Sequence, residues 1–332
     1  MARFGLRLVN RKWAGAGIAA AAALLLAAGS ARADDQIKVG KGGVALIFNI
    51  VEVGKQVGIF KQFGIDVTGV QFDGEAPLEK AMTAGDLDIG LAAGTSMGFT
   101  LKGVPMHAVA ELSGAPYDFV VGVKPDSPLK TADDLKGKKV SVTSTGSLTW
   151  WLAHQLATQK GWGADAITTV PLGSTAAQFA AMGHGDVDAQ TTTPETAFNY
   201  VENGQMRVLV FYGDEIKQFI SHTILASDTL LAKKPDVVRR FLQGWFTTIK
   251  WVKDPAHHDQ TAKIIADVMN ISPSAASKAL DIDVKGLSDD GAFDPVSVDM
   301  VRNSLPAFGV LDSVPPVKGL YDDQYVPVKL AK

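Results

Sequence analysis

The chain has 332 residues, no cysteine, and a formal net charge of −3 from 32 basic and 35 acidic side chains. Without cysteine it has no disulfide, no thiolate metal site and no cysteine nucleophile. Its acidity argues against binding to nucleic acid or to an anionic membrane, because both attract basic proteins.

The first 33 residues are typical of a secretory signal peptide. An apolar run over residues 14–28 is followed by the A-x-A cleavage site Ala31-Arg32-Ala33, and the run is preceded by the basic residues Arg3, Arg7, Arg11 and Lys12. The run is short for a bilayer span, so a retained membrane anchor is the weaker alternative. We therefore expect export to the periplasm as a mature chain of 299 residues. That chain keeps 27 basic and 35 acidic residues, a net charge of −8.

The first part of the mature chain alternates between predicted strands and helices. Apolar patterning indicates strands at 37–39, 65–72, 87–92 and 106–112, and helices at 46–63 and 78–83. A further β-rich stretch, 119–123, is predicted to cross into a second lobe. This alternation favours parallel sheets flanked by helices.

Residues 133–151 combine a turn, a buried strand at 140–142, a polar loop and a helix beginning at Leu148. Thr145 or Ser147 is predicted to cap that helix, since a hydroxyl accepts hydrogen bonds from free first-turn N–H groups. Gly146 has no side chain to hold a ligand away from the backbone. Any N–H groups left uncapped would attract an anion at the helix start.

The chain contains an internal repeat with an offset of 100 residues. Ala81-Met82-x-x-Gly85-Asp86-x-Asp88 returns as Ala181-Met182-x-x-Gly185-Asp186-x-Asp188. Each copy is predicted to form a strand, a helix and a second strand that ends in a loop rich in hydroxyl groups. Two such units predict two similar lobes. Ligands of parallel sheets bind at the carboxyl ends of the strands, so these loops would face one cleft.

The remaining chain is predicted to return to the first lobe and then to become helical. Strands are indicated at 206–212 and 222–226, and the second is the returning one. A helix is expected from Pro235, and Ser272-Pro273 and Asp294-Pro295 are typical helix starts. We therefore predict that residues 34–120 and 222–332 form lobe 1 and that residues 121–221 form lobe 2.

Four ordered fragments, at residues 58–67, 84–89, 134–140 and 185–188, carry a family resemblance. The chain resembles the periplasmic substrate-binding proteins of ABC importers for nitrate, sulfonates and taurine. The resemblance implies an α/β, two-lobed type II periplasmic binding protein fold. In it each lobe is a mainly parallel sheet flanked by helices, and two hinge strands connect the lobes. It also implies a small-molecule ligand and delivery to an inner-membrane permease, and we expect a monomer.

The same resemblance implies four ligand-binding loops, which contain Gly43, Val44 and Ala45; Thr95 and Ser96; Thr145, Gly146 and Ser147; and Thr192 and Thr193. Many relatives carry an aromatic residue near the last loop. This chain has threonines there, which indicates a roomier or more polar pocket.

The expected ligand is a small oxyanion, such as a sulfonate, taurine or nitrate, held by N–H groups, helix starts and hydroxyls. If the ligand also carries an ammonium group, a carboxylate must pair with that group. Glu195, Asp118 and Glu111 are the candidates by position. The competing hypothesis is an apolar or aromatic ligand held by Trp150 or Trp151.

Two motifs suggest other functions. Residues 94–98 match the G-x-S-x-G motif of serine hydrolases, with Ser96 as nucleophile and Asp214 and His222 as later partners. A secreted serine hydrolase is therefore the alternative function. Gly40-x-Gly42-x-x-Ala45 imitates a dinucleotide fingerprint, but a lone match is weak, and we expect no cofactor. The histidine spacing predicts no metal site.

Overall fold

A computed structural model describes Met1 and residues 34–330 of the chain. Residues 2–33, which carry the predicted signal peptide, lie outside the described residues, as do residues 331–332. From Asp35 onward the described chain forms one compact unit.

Ten strands and twelve α-helices lie within residues 34–330. The strands are β1 (Asp35–Lys41), β2 (Ile65–Gln71), β3 (Ile89–Ala93), β4 (Met106–Ser113), β5 (Val120–Val123), β6 (Lys139–Val142), β7 (Thr168–Pro171), β8 (Ala189–Thr192), β9 (Arg207–Phe211) and β10 (His222–Ser227). The helices are α1 (Leu46–Gln56), α2 (Ile59–Gln62), α3 (Glu75–Ala84), α4 (Leu148–Gln159), α5 (Thr175–His184), α6 (Pro194–Glu202), α7 (Tyr212–Glu215), α8 (Asp228–Lys233), α9 (Pro235–Lys253), α10 (His258–Met269), α11 (Pro273–Asp283) and α12 (Pro295–Ser304).

The strands form two five-stranded sheets, and this confirms the predicted two-lobed α/β fold. Their orders are β2-β1-β3-β10-β4 and β7-β6-β8-β5-β9. Each sheet is mixed: its first three strands are parallel, and the other two pairings are antiparallel. The fourth strand of each sheet, β10 in one and β5 in the other, is antiparallel to both of its neighbours. These are the two strands predicted to cross between the lobes. We call the lobe built on the first sheet lobe 1 and the other lobe 2; their boundaries near residues 120 and 222 stay a prediction.

The two copies of the repeat lie in different sheets and fold in the same way. Gly85 and Gly185 end α3 and α5 in the left-handed conformation, with φ of 76° and 85°. A glycine adopts that conformation without the strain a side chain would add. The carboxylates of Asp88 and Asp188 then accept hydrogen bonds from the backbone N–H groups of Lys38, at 2.9 Å, and Lys139, at 2.8 Å. The final Asp of each copy thus ties its helix–strand turn to the neighbouring strand.

One long helix was predicted over residues 46–63, and this prediction is wrong. The helix stops at Gln56 and restarts at Ile59, because Gly58 lies in the left-handed region with φ of 76°. The apolar periodicity continues through the break, since both helices bury one face in the core of lobe 1. Hydrophobic spacing alone therefore could not reveal the interruption.

One aromatic contact joins the two lobes. The Trp151 ring of α4 stacks on Phe308, with ring centroids 5.8 Å apart, and within lobe 2 it stacks on Phe219, at 4.4 Å. Phe308 follows α12, after the chain has returned to lobe 1. No helix in the described part of the chain is long and apolar enough to cross a membrane.

Candidate ligand-binding site

The first predicted loop connects β1 to the start of α1. Ala45 is the N-cap residue, and no side chain caps this helix start. Leu46, Ile47 and Phe48 in the first turn are all buried. Gly43 is half-buried, while Val44 is exposed. An uncapped helix start leaves backbone N–H groups available to an acceptor from elsewhere.

The second loop, which follows β3, is buried rather than open. The Ser96 hydroxyl donates to Glu75 Oε2 at 3.1 Å, and the Ala93 N–H donates to Glu75 Oε1 at 3.0 Å. Burial raises the pKa of Glu75 to about 7. Thr95 is 8% exposed and Ser96 is 1% exposed. Ser96 thus supports the turn after β3 instead of presenting its hydroxyl to a ligand.

This arrangement does not support the serine hydrolase alternative. A nucleophilic serine needs an adjacent base, and Ser96 instead meets a carboxyl group of α3. His222 Nδ1 lies 3.3 Å from Ser113 Oγ, and Asp214 accepts a hydrogen bond from the Tyr117 hydroxyl at 3.0 Å. Ser96, Asp214 and His222, which the motif predicted to act together, therefore each have a different hydrogen-bond partner.

The third loop precedes α4. Ser147 caps the helix as the sequence predicts: its hydroxyl accepts from the Trp150 N–H at 3.2 Å and donates to the Ser144 carbonyl at 2.7 Å. Thr145 is exposed. Gly146 has φ of 75°, and a Cβ there would lie 3.5 Å from the Phe308 carbonyl oxygen. This loop of lobe 2 therefore lies against the segment that follows α12.

The fourth loop leads from β8 into α6 and reaches across to lobe 1. Thr192 is buried, and the half-buried Thr193 donates through its hydroxyl to Thr196 at 3.1 Å. Two residues later Glu195 is buried, and its carboxyl group faces the Leu46 backbone N–H at the start of α1. The structure thus brings the first and fourth predicted loops together at the junction of the lobes.

Two further carboxyl groups lie near Glu195. Burial raises the pKa of Asp118 to about 7, although the Ser221 hydroxyl, which donates to its Oδ1 at 3.0 Å, opposes the shift. Burial also raises the pKa of Glu195 to about 7, and the charge of Asp118 adds to the shift. The pKa of Asp283 is raised by burial and then by the charges of Glu195 and Asp118. We call these three residues the carboxyl cluster.

The sequence named Glu195, Asp118 and Glu111 as candidates by position for binding an ammonium group. The first two belong to the carboxyl cluster, and Glu111 lies elsewhere. Glu111 is buried beside Asp290 and Asp294 in lobe 1, and burial followed by the charge of Asp294 raises its pKa to about 7. Asp283 was missed, although it follows Ala276, Ala279 and Leu280 on the buried face of α11. Asp283 has the helical spacing of these apolar residues, and that spacing could have indicated from the sequence that its carboxyl group is buried.

The two tryptophans of α4 have different surroundings. Trp151 is 6% exposed and belongs to the apolar core, so it has no free face for a ligand. Trp150 is half-buried and packs on His154, with ring centroids 4.2 Å apart. Among residues 34–330, no group of three or more His, Asp or Glu side chains has the geometry to hold a metal ion.

Comparison with known proteins identifies a family. The sequence pattern of the NMT1/THI5-like family matches residues 48–257, well over half of the chain. No curated protein sequence matches the chain significantly.

Solved structures share the fold at low sequence identity. The alkanesulfonate-binding protein SsuA from Xanthomonas axonopodis pv. citri, bound to MOPS, has a TM-score of 0.66 and 19% identity over 86% of this chain and 96% of its own. The periplasmic aliphatic sulphonate-binding protein SsuA from Escherichia coli has a TM-score of 0.72 and 17% identity over 90% and 94%. The desulfurization enzyme DSZB has a TM-score of 0.62 and 14% identity over 87% and 97%. The fold thus serves both binding proteins and an enzyme.

Proposed function

The chain belongs to the NMT1/THI5-like family, and from this premise we propose that it is a periplasmic solute receptor. In this proposal the two lobes close on a small ligand, and the closed form delivers it to the inner-membrane permease of an ABC importer. The protein is a monomer and performs no reaction on the ligand. Residues 1–33 are removed on export.

The observation that carries this proposal is the meeting of two strand–helix junctions from different sheets. The β1–α1 junction belongs to lobe 1 and the β8–α6 junction to lobe 2, and Glu195 of the second faces Leu46 of the first. Ligands of such sheets bind where the strands end and the helices begin. A two-lobed protein with these junctions opposed can enclose a ligand by hinge closure.

We propose an oxyanion-type ligand, with sulfonate-like compounds first and taurine and nitrate as alternatives. The uncapped start of α1 supports this choice. Two proteins of the same fold, the SsuA proteins of Xanthomonas axonopodis pv. citri and Escherichia coli, are sulfonate-binding proteins and support it as well. One helix start contributes about 0.3–2 kcal/mol to holding an anion. Micromolar binding needs about 8 kcal/mol, so most of the affinity must come from further hydrogen bonds and from exclusion of water on closure.

Calorimetry with ethanesulfonate, taurine and nitrate tests the proposal on the wild type and on Ser147→Asp. Asp caps a helix as well as Ser does, so α4 should stay folded, while its charge should weaken an anion bound near this helix start by at least tenfold. The matched control is Ser174→Asp, since Ser174 caps α5 in the same way outside the predicted loops. Equal loss in both variants, or no binding of any oxyanion by the wild type, would refute the oxyanion ligand.

A further inference from the structure

Two chain segments connect the two sheets, and a buried polar network joins these segments to each other. The first runs from Ser113, the end of β4, to β5, and the second runs from α7 to His222, the start of β10. Asp118 of the first segment accepts a hydrogen bond on its Oδ1 from the Ser221 hydroxyl of the second, at 3.0 Å. The Ser221 N–H also donates to the Gly114 carbonyl oxygen, at 3.1 Å. We call Ser113, Asp118, Ser221 and His222 the hinge network.

The second carboxyl oxygen of Asp118 faces a histidine ring. This Oδ2 lies 3.3 Å from His222 Nδ1 but is not aligned for a hydrogen bond with the ring. The Ser113 hydroxyl oxygen lies 3.3 Å from the same ring nitrogen, and all four residues of the hinge network are at most 4% exposed. Burial lowers the pKa of His222 to about 3 and raises that of Asp118 to about 7. Near neutral pH the ring is therefore neutral, and a proton taken up on Oδ2 has a ring nitrogen close by as its acceptor.

The His222 ring connects the hinge network to the junction of the lobes. It stacks on Phe119, which directly follows Asp118, with ring centroids 6.3 Å apart, and it meets the Phe48 ring edge-to-face at 4.9 Å. Phe48 lies in the first turn of α1, two residues after Leu46, whose N–H faces Glu195 of lobe 2. A change in the hinge network therefore reaches the helix start at which the two lobes meet.

Asp118 also faces two further buried acids and no cation. Burial and then the charge of Asp118 raise the pKa of Glu195 in α6, and burial followed by the charges of Glu195 and Asp118 raises the pKa of Asp283 in α11. The other members of the hinge network, two serines and the neutral His222, carry no charge at pH 7. No Lys or Arg within residues 34–330 forms an ion pair with the three acids. An ionised Asp118 would thus be buried among like charges, which is strongly unfavourable.

We propose that Asp118 is a positioning residue of the hinge and that its protonation state sets the angle between the lobes. With a proton on Oδ2, Asp118 can bridge Ser221 and His222 and hold the two connecting segments together in the arrangement that the structure shows. Without that proton, repulsion among the three acids and their need for water favour separation of the lobes. The lobes therefore open as pH rises through the pKa of Asp118, about 7. This inference rests on the proposed receptor function only in that the lobes move, and it does not depend on the ligand.

Small-angle scattering of the ligand-free protein from about pH 5 to about pH 8.5 gives the first test. The radius of gyration of the wild type should rise with a midpoint near pH 7. Asp118→Asn keeps an acceptor for Ser221 and offers a permanent N–H donor to His222, so its radius should rise by less than half as much. The control is Glu111→Gln, which removes a buried acid of lobe 1 outside the hinge and should follow the wild type. A constant radius in the wild type, or equal curves for Asp118→Asn and Glu111→Gln, overturns the proposal and leaves the receptor function to the calorimetry above.

Nitrogen NMR of the histidine rings gives the second test and needs no change at Asp118. The chain has six histidines, and His222→Gln identifies the His222 signals by their loss. These signals should shift with a midpoint near pH 7, as Asp118 loses its proton, although the ring itself stays neutral down to about pH 3. If Asp118 has a purely structural role, the His222 signals stay constant from about pH 5 to about pH 8. That result overturns the proposal even if Asp118→Asn fails to fold.

Discussion

Ser272, the N-cap residue of α11, donates a hydrogen bond to Glu202 Oε2 of α6 with an O···O distance of 2.5 Å. This bond joins the two lobes beside the carboxyl cluster. Lys278 of α11 also pairs with Glu202 Oε1, at 3.3 Å, but its side chain is 48% exposed, so solvent screens that pair. The contact therefore holds α6 of lobe 2 against α11 of lobe 1 in the arrangement that the structure shows.

The first prediction is that Glu202→Ala favours the open form. Loss of the bond to Ser272 should destabilise closure by about 1 kcal/mol and weaken ligand binding roughly fivefold. Small-angle scattering of the ligand-free protein should show a larger radius of gyration. Asp267→Ala is the matched control, because it removes the ion pair with Lys263 within the single helix α10. An unchanged radius in Glu202→Ala would contradict the proposed role of this contact.

The second prediction concerns pH and the buried acids. Burial raises the pKa values of Glu75, Glu111, Asp118 and Glu195 to about 7 from ordinary values of 4.5 or 3.8, so between those limits the folded state holds more protons than the unfolded state. Their contribution to stability is therefore complete below the ordinary values and is lost as pH rises through about 7. His222 acts oppositely: its contribution is lost as pH falls from 6.5 toward about 3.

The stability lost by the four acids exceeds the stability gained by the one histidine as pH rises. The ligand-free protein should therefore become less stable as pH rises from about 5 to about 8. The measurement is the free energy of unfolding in urea across that range. One proton difference corresponds to a slope of about 1.4 kcal/mol per pH unit. Glu195→Gln should reduce the slope by about one proton, and a stability that rises toward pH 8 would show that the acids do not dominate.

The third prediction concerns the aspartates that end the two repeat copies. Asp88→Ala and Asp188→Ala should each destabilise the fold by about 1 kcal/mol, since each removes the acceptor of a strand N–H group. Asp86→Ala and Asp186→Ala are the matched controls, because these side chains are exposed beside the same turns. Urea unfolding measures all four. Equal losses in the controls would mean that the turn itself, and not the bond to the strand, matters.

The fourth prediction tests the buried serine. A fluorophosphonate probe should not label the protein at Ser96, because the hydroxyl is buried against Glu75 and has no adjacent base. Labelling that disappears in Ser96→Ala would instead establish a hydrolase. Ser304→Ala, at a second buried serine, is the control for nonspecific loss.

The sequence predicted the elements whose signals are local. Ser147, Ser272 and Asp294 cap helices as expected, because a cap needs only its own side chain and the next turn. The repeat was visible because both copies keep the same glycine and aspartates, although Asp88 and Asp188 bind strands that lie 50 and 49 residues earlier in the chain. The helix caps and the repeat together predicted the fold class correctly.

The parts that the sequence did not predict depend on distant packing. Ser96 lies in a loop after a strand whether the chain is a binding protein or a hydrolase. Only the position of Glu75, 21 residues away, shows that the Ser96 hydroxyl already donates a hydrogen bond. Asp283 joins Glu195 and Asp118 only because α11 packs beside α6 across the lobe junction. No spacing rule along one chain encodes that meeting. The predicted ligand loops stay a prediction.

Glu195 facing the Leu46 N–H also has a consequence for any anion that approaches the start of α1. A side chain tethered beside a helix start competes for it at an effective concentration of about millimolar or more, whatever the medium contains. Chloride, phosphate or the proposed oxyanion ligand must therefore displace that carboxyl group before it can bind there. We expect the start of α1 to accept an anion only when the two lobes shift relative to each other and Glu195 moves away.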